Sequence, residues 1–217
     1  MSPRRQRRLH EPRWPAAVAL LAAIALYVLL PSSLIVGPRW LLPVLEGLLV
    51  VPLLIMNPDR RERDTAALRT VSFLLIAIIS IANISALGLL VHDLLRHSDV
   101  DGKELVYSAI ALWVNNVAVF ALWYWELDGG GPAARHTVAP KDRDFLFPQD
   151  ATPDVFTDPW LPTFFDYLYT SFTNSTAFSP TDAMPLRVRT KALMLVQSAA
   201  ALSTIVLVAS RAINLLS

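Results

Sequence analysis

The sequence predicts an all-α polytopic membrane protein with four spans, a half-polar C-terminal segment and a last span, five to six membrane helices in all. Three observations predict it. The 217-residue chain is 54% hydrophobic and only 17% charged, with a mean hydropathy of +0.44, a profile foreign to soluble domains. Four stretches, 14–36, 40–56, 71–91 and 105–125, approach or exceed the roughly 20 apolar residues that cross a bilayer. Trp14, Trp40 and the Trp123-Tyr124-Trp125 cluster fall at the ends of those stretches, where amphipathic rings favour the membrane interface.

The N-terminal residues 1–13 carry Arg4, Arg5, Arg7, Arg8 and Arg13, and cytoplasmic segments are enriched in such cations. These arginines place the N-terminus inside and suit anionic headgroups better than nucleic acid. Residues 16–30 are apolar enough for a signal-peptide core. They run through Pro31-Ser32-Ser33 into Leu34-Ile35-Val36 with no small-residue cleavage site, so the segment reads as an uncleaved first span. The second span is the shortest, interrupted by Pro43, Glu46, Gly47 and Pro52.

The loop 57–70 holds Arg60, Arg61, Arg63 and Arg69 and belongs inside. The loop 92–104 sets Arg96 and Lys103 against Asp93, Asp99, Asp101 and Glu104 and belongs outside. Four crossings thus return the chain to the cytoplasm after Trp125. The chain divides into a basic N-terminus (1–13), a four-span bundle (14–125), a polar loop (126–162) and a C-terminal hairpin (163–217). Gly129-Gly130-Gly131-Pro132 breaks the helix at the start of the loop. Rich in proline and poor in apolar pattern, the loop is expected to be mostly solvated, with Phe145-Leu146-Phe147 dipping into the interface.

The hairpin is the part built to carry polar groups into a membrane. Residues 164–180 include Asp166, Thr170, Ser171, Thr173, Asn174, Ser175, Thr176 and Ser179. Hydroxyls can satisfy themselves on a helix backbone, whereas Asp166 and Asn174 need protein or water around them. A short helix entering a turn is expected, then a loop through Asp182 and Pro185, the cations Arg187, Arg189 and Lys191, and a long span over 192–216.

From Asp166-Tyr167-Leu168-Tyr169-Thr170-Ser171-Phe172-Thr173-Asn174-Ser175-Thr176 through Asp182 and the last helix, the chain resembles the pore module of tetrameric potassium-type channels. That family has a short pore helix ending in threonines, a carbonyl-lined filter, an aspartate and a pore-lining helix. The resemblance puts Thr176 at the first filter threonine and Asp182 at the post-filter aspartate. It implies a pore-like segment of Asp166, Thr173, Asn174, Thr176, Phe178 and Asp182, a homo-oligomer, and a monovalent cation as ligand. The stretch Thr176-Ala177-Phe178-Ser179-Pro180-Thr181 lacks both filter glycines, and Pro180 fixes φ, so potassium selectivity is not expected. The whole-chain layout is similar to multipass membrane proteins of high-GC Gram-positive bacteria, of unassigned activity, that carry such a degenerate hairpin.

A potassium-type pore loop enters from outside, yet the crossing count leaves the chain inside after Trp125. Three arrangements reconcile the two. Residues 164–180 cross fully; or they re-enter from the cytoplasm and leave the C-terminus outside; or the second span fails to cross.

Elsewhere, Glu46 is either an interfacial carboxylate or a proton- or cation-handling group facing the bundle, and Arg211 is its candidate partner. Asn83, Asn115, Asn116 and Gln197 are expected to stitch helices together by hydrogen bonds. His92 and His97 with Asp93, Asp99 and Asp101 match no recognised metal-ligand spacing. The chain has no cysteine, which excludes disulfides and thiol chemistry. It shows no nucleophile motif, phosphate loop, HExxH or nucleic-acid patch, so no enzyme activity, cofactor or nucleic-acid partner is expected. The expectation is an integral plasma-membrane protein partnered by the lipid bilayer, ion-channel-like in its hairpin. The alternative is a non-conducting structural or partner-binding scaffold.

Overall fold

The computed structural model describes residues 14–28, 30, 40, 44, 47–48, 66–96, 102–132, 134–152, 154–155, 160–176 and 182–216. Most of these are helical. In chain order they form α1 (Trp14–Val28), α2 (Ala66–Arg96), α3 (Gly102–Leu127), β1 (Phe145–Leu146), α4 (Pro148–Ala151), α5 (Phe164–Thr176), β2 (Met184–Pro185) and α6 (Val188–Leu216). Short 3₁₀ turns at Asp128–Gly130, Arg135–Thr137 and Pro140–Asp142 fill the stretch between α3 and β1. Among the described residues, α2, α3 and α6 are long and apolar enough to cross a membrane, while the apolar α1 has 15 residues. The expected second span, including Glu46, falls largely outside the described residues.

α3 is the axis of the bundle, touching α1, α2, α5 and α6. Its buried run from Asn115 to Leu122 is continuous, as a central helix requires. α1 instead buries one stripe, Ala16, Leu20, Ala23 and Tyr27, and exposes Trp14, Val18 and Leu21. Side chains pack at two levels. At one end, Ala16 and Leu20 (α1), Leu75, Ile76 and Ile79 (α2), Val119 to Trp125 (α3), Phe145, Phe147, Phe164, Tyr167, Ala183 and Met194 share a core. At the other end, Tyr27, Leu30, Ala86, Leu90, Ala109 and Leu112 form a second core, with Leu207 and Val208 of α6 against it. α1, α2, α3 and α6 each reach both levels, whereas α5 reaches only the first.

The first end is capped by the stretch after α3. α3 stops where Gly129, Gly130 and Gly131 take φ of 59°, 88° and 91°, a region that side-chain-bearing residues seldom adopt. The chain then turns back, and β1 pairs antiparallel with β2, Phe145 opposite Pro185 and Leu146 opposite Met184. This departs from the solvated loop expected from sequence. Phe145 and Phe147 are buried against Tyr124, Trp160 and Tyr167 rather than dipping into the interface. Asp128, Arg135, Arg143 and Asp144 are buried with them. Pairing between charges far apart in sequence supplies the order that the loop's composition does not advertise.

Candidate functional site: the anchored helical hairpin

α5 begins with a reciprocal cap. The Thr163 backbone N–H and hydroxyl donate to Asp166 Oδ2 at 2.7 and 2.8 Å, which satisfies the N–H of the capping residue, and the Asp166 N–H donates back to Thr163 O at 3.0 Å. Asp166 is thereby a helix cap. From there α5 descends along α3: Phe164 meets Trp125 edge to face, and Ser171 Oγ donates to Val117 O at 2.7 Å. Its 13 residues extend about 20 Å, short of the ~30 Å of a hydrocarbon core. Beyond α5 the chain returns to its starting level, since Ala183 shares the capped-end core with Phe164 and β2 pairs with β1. Phe164 and Ala183, which flank the segment, thus lie at one end of the bundle.

The deep part of α5 is held by one buried glutamine. Gln197, on α6, has no exposed surface. Its Nε2 faces Ser171 O at 3.0 Å, Ser171 Oγ at 2.6 Å and Ser175 Oγ at 2.7 Å. Its Oε1 accepts from Tyr124 Oη at 2.5 Å and from Asn174 Nδ2 at 2.8 Å. Asn174 also donates to Met194 O at 3.0 Å, and Ser198 Oγ donates to Asn174 O at 3.2 Å. Ser171, Asn174 and Ser175 sit at i, i+3 and i+4, one face of a helix. The opposite face exposes Phe165, Tyr169 and Phe172.

Thr173 bonds back to Tyr169 O at 2.9 Å, and Thr176 bonds back to Thr173 O at 2.9 Å, so both hydroxyls are spent on their own helix. Asp182 is exposed in the turn before β2. Arg211 lies near the end of α6; Phe178, Glu46 and the Glu46 pairing with Arg211 fall outside the described residues. Of the expected pore-like set, the geometry draws Asn174 into the α3–α6 network and leaves Asp166 and Asp182 at the capped end.

The amides expected to stitch helices do so. Asn115 Nδ2 donates to Asn83 Oδ1, and Asn116 Nδ2 to Gln197 O, each at 3.4 Å. The Oδ1 atoms of Asn115 and Asn116 are buried without a hydrogen-bond partner. Each is a side-chain carbonyl, able only to accept.

The capped end holds a second network that sequence reading missed. Asp128, fully buried, accepts from Tyr167 Oη at 2.5 Å and from the backbone N–H groups of Asp144 and Phe145 at 2.8 and 3.0 Å. Arg135 approaches Asp128 at 3.6 Å, lies over the Tyr167 ring at 4.6 Å, and donates to the carbonyls of Pro162 and Trp125. Asp144, 1% exposed, takes a two-pronged contact from Arg189 at 2.6 and 2.8 Å and the Thr190 hydroxyl at 3.3 Å. The guanidinium of Arg143 pairs with Asp150 at 3.0 Å, and burial pushes the Asp150 carboxyl above its ordinary value in spite of Arg143. The outcome is a clamp tying the end of α3, the start of α5 and the start of α6 together. One signal was available: an aspartate followed directly by three glycines, at the exit of a helix, with backbone free to turn towards it.

Among the described residues, no group of His, Asp and Glu is placed to hold a metal ion. Comparison with family models, curated proteins and solved structures returns no match.

Proposed function

We propose that this chain is a multi-pass protein of the bacterial plasma membrane whose α5–α6 hairpin is a degenerate pore-loop-type module. In this reading several copies assemble, and their hairpins surround a weakly selective path for monovalent cations. The observation that carries it is that Phe164 and Ala183, on either side of the 13-residue α5, share the capped-end core, which supports a re-entrant segment ahead of the 29-residue α6. Irregular backbone at membrane depth is tolerated only where protein or water surrounds it, and such hairpins are the usual way of presenting backbone carbonyls to an ion. The crossings of the layout, four spans and a last one, with the N-terminus inside, belong to the same proposal.

The test is conductance of purified protein in planar bilayers. A cation current altered by substitutions at Thr176 or Asp182 supports the proposal. Silence in sodium, potassium and caesium salts, or a strictly monomeric protein, rejects it, because one hairpin cannot enclose a path. The second reading is a non-conducting membrane scaffold. It is favoured by the inward direction of Ser171, Asn174 and Ser175, which are all spent on holding α5 to α3 and α6.

A further inference from the structure

The two core levels fix which segments meet at which end of the bundle. Ala16 and Leu20, Leu75 and Ile76, Trp125, and Ala183 with Met194 all lie at the capped end. The chain therefore enters α1, enters α2, leaves α3 and enters α6 at that one end, while Leu207 and Val208 carry α6 to the opposite end. Four segments adjoin those helix ends in the sequence: residues 1–13, the approach to α2 with Arg60, Arg61, Arg63 and Arg69, the stretch 128–162, and the turn 182–191. Of the 19 lysines and arginines in the chain, only Arg39, Arg96, Lys103 and Arg211 fall outside those four segments. Orientation follows the distribution of Lys and Arg over short loops, with little weight on acids.

We infer that the capped end is the cytoplasmic end, so that the re-entrant hairpin opens to the cytoplasm, inverted with respect to a potassium-type pore loop. This rests on the re-entrant reading proposed above and adds its direction. Of the sequence-compatible arrangements, it selects re-entry from inside with the C-terminus outside. The Arg189–Asp144 clamp and the Asp128–Arg135 pair then face the cytosol. A cation using the hairpin approaches from inside, past the exposed Asp182, Arg187 and Lys191. In sequence, the connection from α2 to α3 carries Asp93, Asp99, Asp101 and Glu104, the poorly basic set expected of an external loop.

The absence of native cysteines makes the test direct. Single-cysteine variants Val155→Cys in the cap, Asp182→Cys after α5 and His92→Cys at the far end are all at exposed positions. Each is treated with a membrane-impermeant maleimide on intact cells and on inverted vesicles, alongside a reporter fused after the last residue. The inference expects V155C and D182C to be labelled only in inverted vesicles, H92C in intact cells, and the reporter to be active outside. Labelling of V155C and D182C in intact cells overturns the orientation and leaves the hairpin standing. Labelling of V155C and D182C from opposite sides means that residues 164–180 cross, which overturns the hairpin itself. If a cysteine variant does not accumulate, the reporter fusion on the unaltered chain decides: activity inside overturns the inference.

Discussion

Tyr124 on α3 donates its hydroxyl proton to the side-chain oxygen of Gln197 on α6 across 2.5 Å, at the level where α5 nears the end of its descent. The bond joins the central and last helices through the residue that also holds Ser171, Asn174 and Ser175. Interhelical hydrogen bonds in membranes average about 0.6 kcal/mol and reach about 1.7. Tyr124→Phe leaves Gln197 Oε1 its Asn174 partner and is expected to cost about 1 kcal/mol. Gln197→Leu strands several buried groups at once and is expected to cost about 2–4 kcal/mol, since each orphan carries its own desolvation penalty. Unfolding in detergent micelles measures both. A double variant no worse than Q197L alone would confirm that the two residues act as one unit.

Asn116 contrasts with Gln197. Its one hydrogen bond is long, and its Oδ1 has no partner. Replacing an unsatisfied buried group with an apolar one of similar shape is close to neutral. Asn116→Leu is therefore expected to change stability by less than about 1 kcal/mol. A larger loss that depends on the sodium or potassium concentration would show that the oxygen holds an ion.

In the cap, burial ranks the charges. Asp128 is fully buried and serves Tyr167, Arg135 and two backbone N–H groups, so Asp128→Ala is expected to cost about 3–5 kcal/mol, as for other broken buried pairs. The Arg189 side chain is 59% exposed, but its partner Asp144 is buried and would keep the Thr190 hydroxyl. Arg189→Gln, which retains an N–H donor for that carboxylate, is expected to cost about 1–3 kcal/mol, less than Asp128→Ala. Thermal unfolding of the two variants at one ionic strength tests the order.

Asp150 sets a pH dependence of definite sign. Burial raises its carboxyl pKa in the folded chain above the unfolded value, with Arg143 opposing and Asp128 reinforcing the shift. The folded state then holds the proton longer than the unfolded state. Its contribution is fully present below the unfolded pKa and is lost as pH rises through the folded one. Asp150→Asn, which still accepts from Arg143, should gain on the wild type between about pH 4 and neutrality. A stability difference that is flat over that window would contradict this.

Gly131 combines φ 91° with ψ 175°, a region almost reserved for glycine, and a Cβ there would stand 3.2 Å from Glu126 O. Gly131→Ala is expected to cost about 1–3 kcal/mol and to loosen the cap. Gly129, at φ 59° and ψ 21°, lies in the left-handed region that asparagine tolerates, but a Cβ there would stand 3.3 Å from Arg135 and Arg143, so Gly129→Asn should disturb the charge clamp more than the turn. Amide exchange at Asp144 and Phe145 would report the difference.

The long helices were legible in the sequence because a membrane demands an unbroken apolar run, and 71–91 and 105–125 supply one. Their ends were less so: α2 and α3 extend beyond the apolar stretch, and polar residues at an interface neither demand nor forbid a further turn. The polar face of α5 was legible too, through the i, i+3, i+4 spacing of Ser171, Asn174 and Ser175. Its partner Gln197 stood out only as a lone amide in an apolar helix. The cap was hidden for a different reason. Asp128 meets Tyr167, and Asp144 meets Arg189, across separations with no period, so nothing local distinguishes them from solvated loop charges. The same long-range pairing made a proline-rich stretch look unstructured.

α5 also constrains how the chain is made. A span that partitions into lipid on its own can be inserted as it emerges from the ribosome, but α5 is too short and too hydroxyl-rich for that, and the partner its buried side chains need, Gln197, is synthesised after it. On the membrane reading proposed above, the hairpin would wait, shielded or at the surface, until α6 has entered the bilayer, and only then fold down beside α3. Truncation before Gln197 should leave residues 164–176 outside the hydrocarbon and open to proteolysis, so the last helix acts as an intramolecular chaperone for the segment that precedes it.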